Sequence, residues 1–302
     1  MAATIAEMRL ARRKLPGTVG FVPTMGYLHE GHLALVSRAR QEADSVVASI
    51  FVNPIQFGPQ EDLTSYPRAP ERDLAMLDRE GVALVFMPSV EEMYPPGFDT
   101  FVEMGKLTQR LEGAFRPGHF RGVTTVVARL FNIVQPDRAY FGQKDAQQLM
   151  VIRKMVADLA IPVEVVAVPT VREPDGLAMS SRNIYLNPQE RQAATVLSRA
   201  LFLAQRLYAQ GERDAQKVRQ QMSSLIRSEP LATIDYVSIA DVQTLDELDA
   251  IVCPALASMA VRIGKAHLID NILLGDEGHP IGKSGVAPRH TMADTIGIGR
   301  AD

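Results

Sequence analysis

The 302-residue chain sets 32 Lys and Arg against 35 Asp and Glu, a formal charge of -3, with 46% hydrophobic residues. That balance excludes an unfolded polar chain and broad electrostatic binding of nucleic acid, while leaving room for a local basic pocket. Cys253 has no second cysteine to pair with, no run of about 18 apolar residues supports a membrane span, and charges interrupt the N-terminal MAATIAEMRLARRK, so no secretory signal is read and the cytoplasm is expected.

An apolar run over residues 18–22 predicts a first strand, followed by Pro23 to His32, PTMGYLHEGH. Two histidines three apart follow a glycine turn there, at the start of a helix predicted over 30–43 and continued by Leu33, Val36 and Arg40 at helical spacing. Free amides and the positive dipole end of a helix favour an anion, and His29 and His32 share its first turn, where either ring can donate a hydrogen bond. The placement reads as a phosphate site. The competing reading is a pair that merely caps the helix. Zinc is disfavoured, since no third histidine or carboxylate stands at ligand spacing and the chain has one thiol.

Further strands are predicted at 45–52, 82–87, 138–141 and 163–168, and helices at 69–80, 121–134 and 146–159. This alternation predicts an α/β architecture, a parallel sheet wound by helices, with ligands beyond the carboxyl ends of the strands. The polar clusters PTMG, NPIQF and FGQKD fall at those ends, so they can converge. After about residue 170 the pattern changes to helices at 187–209 and 213–227 and strands at 234–239, 255–263 and 267–274, a smaller α+β domain. The organisation expected is 1–170, 171–275, and a flexible tail over 276–302, where five glycines and two prolines accompany no amphipathic period.

In their order and spacing, PTMGYLHEGH, SIFVNPIQF, HFRGVTTVV, YFGQKDAQQL and DGLAMSSRN resemble the motifs of the pantoate–beta-alanine ligase family, over roughly residues 16 to 275. His29-Glu30-Gly31-His32 also meets the HxGH signature of the nucleotidylyltransferases. The resemblance implies a Rossmann-like N-terminal domain carrying ATP and pantoate, a smaller C-terminal lid domain, and a homodimer. It implies ATP-dependent condensation of D-pantoate with β-alanine through pantoyl adenylate, releasing AMP and pyrophosphate, with Mg²⁺ as companion of the triphosphate and no protein ligand named for it.

A carboxylate resists attack by an amine until ATP converts it to an acyl adenylate. The protein then needs no covalent nucleophile. It must hold the carboxylate in line with the α-phosphate and stabilise the charge that develops on phosphoryl oxygens. His29, His32, Lys144 and Arg182 are cationic or donor groups suited to that task. The resemblance makes His32 a proton donor in adenylation, whereas its physical role reads as a hydrogen bond to phosphate, with Lys144 as a point charge. Met179-Ser180-Ser181-Arg182 lies between the turn signal Asp175-Gly176 and the helix start Asn187-Pro188, so it reads as an exposed loop resembling the mobile phosphate loop of adenylyl-transfer enzymes.

By the same resemblance, Met25, Gly26, Tyr27, Leu28, Glu30, Gly31 and Gln143 join the nucleotide site. Val171 offers its backbone to adenine, and Gly142 and Asp145 approach the ribose. Gln56 and Gln148 are assigned to pantoate, because an amide can donate and accept together, with Asn53 beside them and Pro23, Met25 and Phe57 as apolar walls; Gln56 also lies near β-alanine. Arg116, His119 and Arg121 form a basic run with two readings, help in binding an anion and, more commonly, a solvated loop, and they stay outside the assigned site. Many relatives have Glu at Gln143, an aromatic at Ala146 and Leu at Met179; none of these departures removes a donor to phosphate, so activity is expected to persist. Two rival classes remain at this point. A nucleotidylyltransferase would not need Gln56, Gln148 or NPIQF, and a non-catalytic nucleotide-binding module would have tolerated loss of the glutamines.

Overall fold

The computed structural model describes residues 1–59, 61–252 and 254–275, so the tail expected over 276–302 lies outside the described residues. The chain begins with a helix that periodicity did not reveal, α1 (Ile5–Arg12). It buries Met8 and is started by a capping box, in which Thr4 accepts from the Glu7 N–H and the Glu7 carboxylate accepts from the Thr4 N–H. Its apolar face is too narrow to stand out in the sequence.

The elements that follow are β1 (Val19–Thr24), α2 (Glu30–Glu42), β2 (Ser45–Ile50), α3 (Pro70–Arg79), β3 (Leu84–Phe86), α4 (Val90–Met93), α5 (Glu112–Phe115), α6 (His119–Val134), β4 (Arg138–Gly142), α7 (Ala146–Asp158) and β5 (Glu164–Val168). The five strands pair in parallel in the order β3-β2-β1-β4-β5. Every residue of β2 is buried, as befits a parallel strand covered on both faces. Val36, Ala39 and Leu77 of α2 and α3 cover one face, and Met8, Phe131 and Ile152 of α1, α6 and α7 cover the other. Within α2 the buried stripe is Leu35, Val36 and Ala39. Arg40 is exposed and donates to the Glu80 carbonyl at 2.8 Å, because the sheet lies under the neighbouring stripe.

From β1 the chain winds outward to β2 and β3, then returns to place β4 and β5 on the other side, so the order reverses between β1 and β4. A crevice opens at such a reversal. Backbone pairing of β1 with β4 stops at Phe21, whereas pairing with β2 runs on through Thr24. Pro23, which has no N–H to give, therefore sits in the strand where its β4 side is already open.

The remaining elements are α8 (Pro188–Ala193), α9 (Thr195–Ala209), α10 (Ala215–Arg227), β6 (Ala232–Asp241), β7 (Ala255–Ile263) and β8 (Ala266–Leu274), the strands forming an antiparallel sheet in the order β6-β7-β8. The single helix expected over 187–209 is two helices joined at Ala194. Leu197, Leu201, Met222 and Ile226 pack on Ile239, Met259 and Val261 in a core separate from that of the parallel sheet.

Candidate active site

Beyond β1 the chain turns through Gly26 and Tyr27, both left-handed at φ of 82° and 50°. Glycine adopts this freely, but tyrosine needs support. Asp73 of α3 supplies it: its buried carboxylate accepts from the Tyr27 N–H at 2.6 Å and the Leu28 N–H at 2.8 Å.

The turn delivers His29 as N-cap of α2. His29 Nδ1 accepts from the Gly31 N–H at 3.1 Å, and His32 Nδ1 accepts from the His29 N–H at 3.3 Å, a capping box built from two imidazoles. A neutral ring whose Nδ1 accepts carries its proton on Nε2. Burial, reinforced by the Lys144 charge, pushes His29 down to about 4; burial, then His29 and Lys144, pushes His32 down to about 3. Near neutrality both rings are therefore single donors and not cations. Capping uses Nδ1 and leaves Nε2–H for a ligand, so the two readings that competed in the sequence are compatible. Gly31 is required for this arrangement, since a methyl group there would stand 2.8 Å and 2.9 Å from atoms of the His29 ring.

A pH dependence of stability follows. With folded values below the ordinary 6.5, the unfolded chain protonates first as pH falls, so stability from the neutral rings is present above about 6.5 and is lost toward about 4 and 3. Denaturant midpoints measured from about pH 7 to about pH 4.5 are expected to fall in the parent and to fall less in His32→Gln, which stays neutral. Equal slopes would contradict a buried neutral ring at 32.

The opposite rim is the end of β4. Gly142 opens onto the cavity, and a short 3-10 turn, Gln143–Asp145, leads into α7. Lys144 Nζ lies 3.7 Å from the Asp145 carboxylate. Gln148 lines the cavity, while Gln147 turns away, accepting from the Glu112 N–H at 3.0 Å and donating to the carbonyls of Leu107 and Arg110. After β2, Gln56 Oε1 accepts from Asn53 Nδ2 at 2.9 Å and its Nε2 faces the Met25 sulfur at 3.2 Å. Asn53 is 1% exposed and also accepts from the Tyr94 hydroxyl at 2.7 Å, so its bonds orient Gln56.

The basic run at 116–121 is not simply a solvated loop. Arg116 and His119 line the cavity, His119 Nδ1 lying 2.9 Å from the Gln56 carbonyl oxygen and Arg116 donating to Glu61 at 2.8 Å and 2.6 Å. Burial and the Arg116 charge push His119 down to about 4. Arg121, outside the cavity, stacks 3.6 Å over the Phe101 ring. The glycine of this motif also has a packing role: a methyl on Gly122 would lie 2.4 Å from the Ile55 carbonyl oxygen, so only glycine lets α6 approach the Gln56 turn so closely.

The segment after β5 lines the cavity, and its Met179-Ser180-Ser181-Arg182 stretch, expected as an exposed loop, is half-buried, with Ser181 buried at the start of a 3-10 turn, because it packs against the histidine turn. It reverses at Gly176, with φ of 92°, and returns so that the Met179 N–H donates to the Val171 carbonyl at 3.0 Å. Ser181 Oγ donates to the Tyr27 carbonyl at 3.2 Å, tying this segment to the histidine turn. Arg182 presents a two-pronged donor edge to Asp62, Nε and Nη2 each 3.0 Å from a carboxylate oxygen. Burial raises the Asp62 carboxyl, but the Arg182 bonds and charge outweigh it and leave the group below the usual range. Asp62 occupies the guanidinium edge that a phosphate would take.

The cavity measures about 240 Å³. Of the residues singled out in the sequence, Pro23, Met25, His29, Gly31, His32, Asn53, Gln56, Gly142, Lys144, Asp145, Gln148, Val171, Met179, Ser180, Ser181 and Arg182 line it. Gly26, Tyr27, Leu28, Glu30, Gln143 and Phe57 do not. Gly26 and Tyr27 shape the turn, Leu28 is fully buried in the core, and Glu30 is exposed. Gln143 gives its carbonyl to Asn271, and Phe57 meets Tyr66 edge-on at 5.9 Å. The apolar wall comes from Val123, Val126, Val127 and Leu130 of α6, whose helical period was available in the sequence. Among the described residues, no group of three or more His, Cys, Asp or Glu is placed to hold a metal ion.

Neutral donors at the start of α2, cations from just before α6, the turn after β4 and the segment after β5, the amides of Gln56 and Gln148 and an apolar wall line one cavity, a lining that suits an anionic ligand with an apolar part. A family model described as Pantoate-beta-alanine ligase matches residues 1–273. A pantothenate synthetase of Roseiflexus sp. (strain RS-1) is 64% identical over 271 residues, 90% of this chain and 98% of that protein. The crystal structure of a pantothenate synthetase from Thermus thermophilus superposes with a TM-score of 0.86 at 55% identity, covering 90% of this chain and 99% of that one. A pantoate-beta-alanine ligase from Francisella tularensis, solved with beta-gamma ATP and beta-alanine, superposes with a TM-score of 0.75 at 33% identity, covering 90% of this chain and 96% of that one. With the motifs converging on one crevice and the match spanning both sheets, the chain belongs to the pantoate–beta-alanine ligase family and is an amide-bond-forming ligase.

Proposed function

We propose that this chain condenses D-pantoate with β-alanine in two steps, pantoyl adenylate being formed from ATP before the amine reacts. The observation that carries this reading is the placement of His29, His32, Lys144 and Arg182 around the same cavity as Gln56 and Gln148. The Francisella relative, solved with beta-gamma ATP and beta-alanine, supports the same ligands here. In the first step a pantoate carboxylate oxygen attacks the α-phosphorus and the bond to pyrophosphate breaks. The Nε2–H groups of His29 and His32 donate to phosphate oxygens without transferring a proton, and Lys144 offsets charge moving onto the leaving group. Gln56 and Gln148 hold the pantoate, with its methyl groups against the α6 wall. In the second step the β-alanine nitrogen attacks the acyl carbon, the bond to AMP breaks, and the nitrogen loses a proton.

Mg²⁺ belongs to this reading as partner of the triphosphate; when bound it would rely on phosphate oxygens and water and would neutralise part of their charge. A second core built from residues after 170 supports a division near that point, with Leu245 and Leu256 of the second unit packed into the first core; the second unit is taken to act as a lid. A cytoplasmic homodimer completes the proposal; no helix among the described residues is long and apolar enough to cross a membrane.

A single-turnover quench with ATP and D-pantoate is expected to yield pyrophosphate and adenylate before amine is added, and β-alanine is then expected to release AMP. Absence of adenylate without amine would overturn the stepwise order. Retention of AMP in the final product would point instead to nucleotidyl transfer.

A further inference from the structure

The lysine assigned to the phosphates sits on a short 3-10 turn that has no side-chain cap of its own. Its backbone is held from the other sheet. Asn271 of β8 donates through Nδ2 to the Gln143 carbonyl at 3.0 Å and to the Lys144 carbonyl at 2.8 Å. The side chain cannot be turned over, because its oxygen would then face two carbonyl oxygens. Asn271 is 4% exposed, and its Oδ1 has no partner among the described residues. A buried amide that leaves its acceptor unmatched while both hydrogens serve one turn is placed for that turn.

The preceding residue works on the other wall. Asp270, 2% exposed, accepts from Arg172 at 2.6 Å and 3.0 Å, and Arg172 follows Val171 at the cavity edge. Asp270 Oδ1 also accepts from the Asn271 N–H at 2.8 Å, which joins the two grips. One dipeptide of β8 thus holds the backbone beside the phosphate lysine and the arginine beside the expected adenine position.

We propose that Asn271 is the positioning residue for Lys144, so that the packing of the β6-β7-β8 sheet sets where the lysine charge stands in the adenylation step. This rests on the phosphate role of Lys144 argued above. Asn271 does not reach the reacting atoms and acts through the backbone of the turn. A misplacement of about 1 Å can cost about 10²-fold in rate, so the effect of losing these bonds is large compared with its effect on binding.

The test uses the full chain in four forms: parent, Asn271→Leu, Lys144→Ala and the double variant. Asn271→Leu is expected to slow single-turnover adenylate formation by about 10- to 100-fold while pantoate affinity changes by less than about twofold. In the Lys144→Ala background the same substitution is expected to change the rate by less than about threefold, because the group it positions is gone. Full additivity, or an undiminished rate in folded Asn271→Leu, would overturn the proposal. A Lys144→Ala enzyme as fast as the parent would instead refute the lysine's phosphate role, which separates the two failures. Thermal melting checks the fold of each form. Should Asn271→Leu fail to fold, Asn271→Ala, which removes the amide without burying a carboxylate, replaces it in the cycle; if that also fails to fold, the tie is structural and the proposal falls.

Discussion

Lys144→Ala is expected to lose about 2.7 to 4 kcal/mol of transition-state stabilisation in adenylate formation, roughly 10²- to 10³-fold in rate, with pantoate affinity nearly unchanged. The size follows from how the cavity's cations are engaged. Arg116 and Arg182 each present two donors to a carboxylate at 3.0 Å or less, whereas Lys144 meets Asp145 at the longer distance of 3.7 Å. Its charge is therefore the least compensated of the three and stands on a turn held by Asn271. Such a charge acts most strongly as negative charge moves toward pyrophosphate, so the loss should appear in the chemical step and not in ground-state binding. Lys144→Arg is not expected to restore the rate fully, since a planar fork does not reproduce a compact point charge. Pyrophosphate release in a single turnover, with pantoate binding followed separately, makes the comparison. A rate equal to the parent's would exclude the role.

The histidines form the second large case. His29→Ala and His32→Ala are each expected to cut adenylation by about 10²-fold at saturating ATP, the scale of a positioned donor. Each should also cost roughly 1 kcal/mol of stability, because the Nδ1 atoms cap α2 through the N–H groups of Gly31 and His29. Stability loss alone does not argue against a ligand role, since one ring serves both ends. Glutamine at either position keeps a donor but no charge. The rings are held neutral by burial, so His→Gln should recover part of the rate. For the free enzyme, read from the pH dependence of kcat/KM for adenylation, no imidazole inflection from these rings is expected near 6.5. Rate and melting temperature measured on the same variants decide the matter. Lowered stability with an unchanged rate per folded molecule would refute the phosphate assignment, and no recovery with glutamine would mean that ring geometry matters more than donation.

The strand, turn and helix around PTMGYLHEGH, the parallel sheet and the change of pattern near residue 170 were legible because each is written in local chemistry: apolar period, glycine and proline positions, and capping residues within a few positions of one another. The tertiary structure decided what those pieces do. Asp73 supports the left-handed turn from 45 residues away, Asp62 occupies Arg182 from 120 residues away, and Asn271 holds the Lys144 backbone from 127 residues away. Hydrogen bonds across such separations leave no period in the sequence. The choice between Gln147 and Gln148 is of the same kind, since helix phase against the 107–112 loop turns one amide inward to structure and the other toward the cavity. So is the protonation of the histidines, for their spacing shows that both can donate, but only the burial of the rings and the nearby Lys144 charge make them neutral donors.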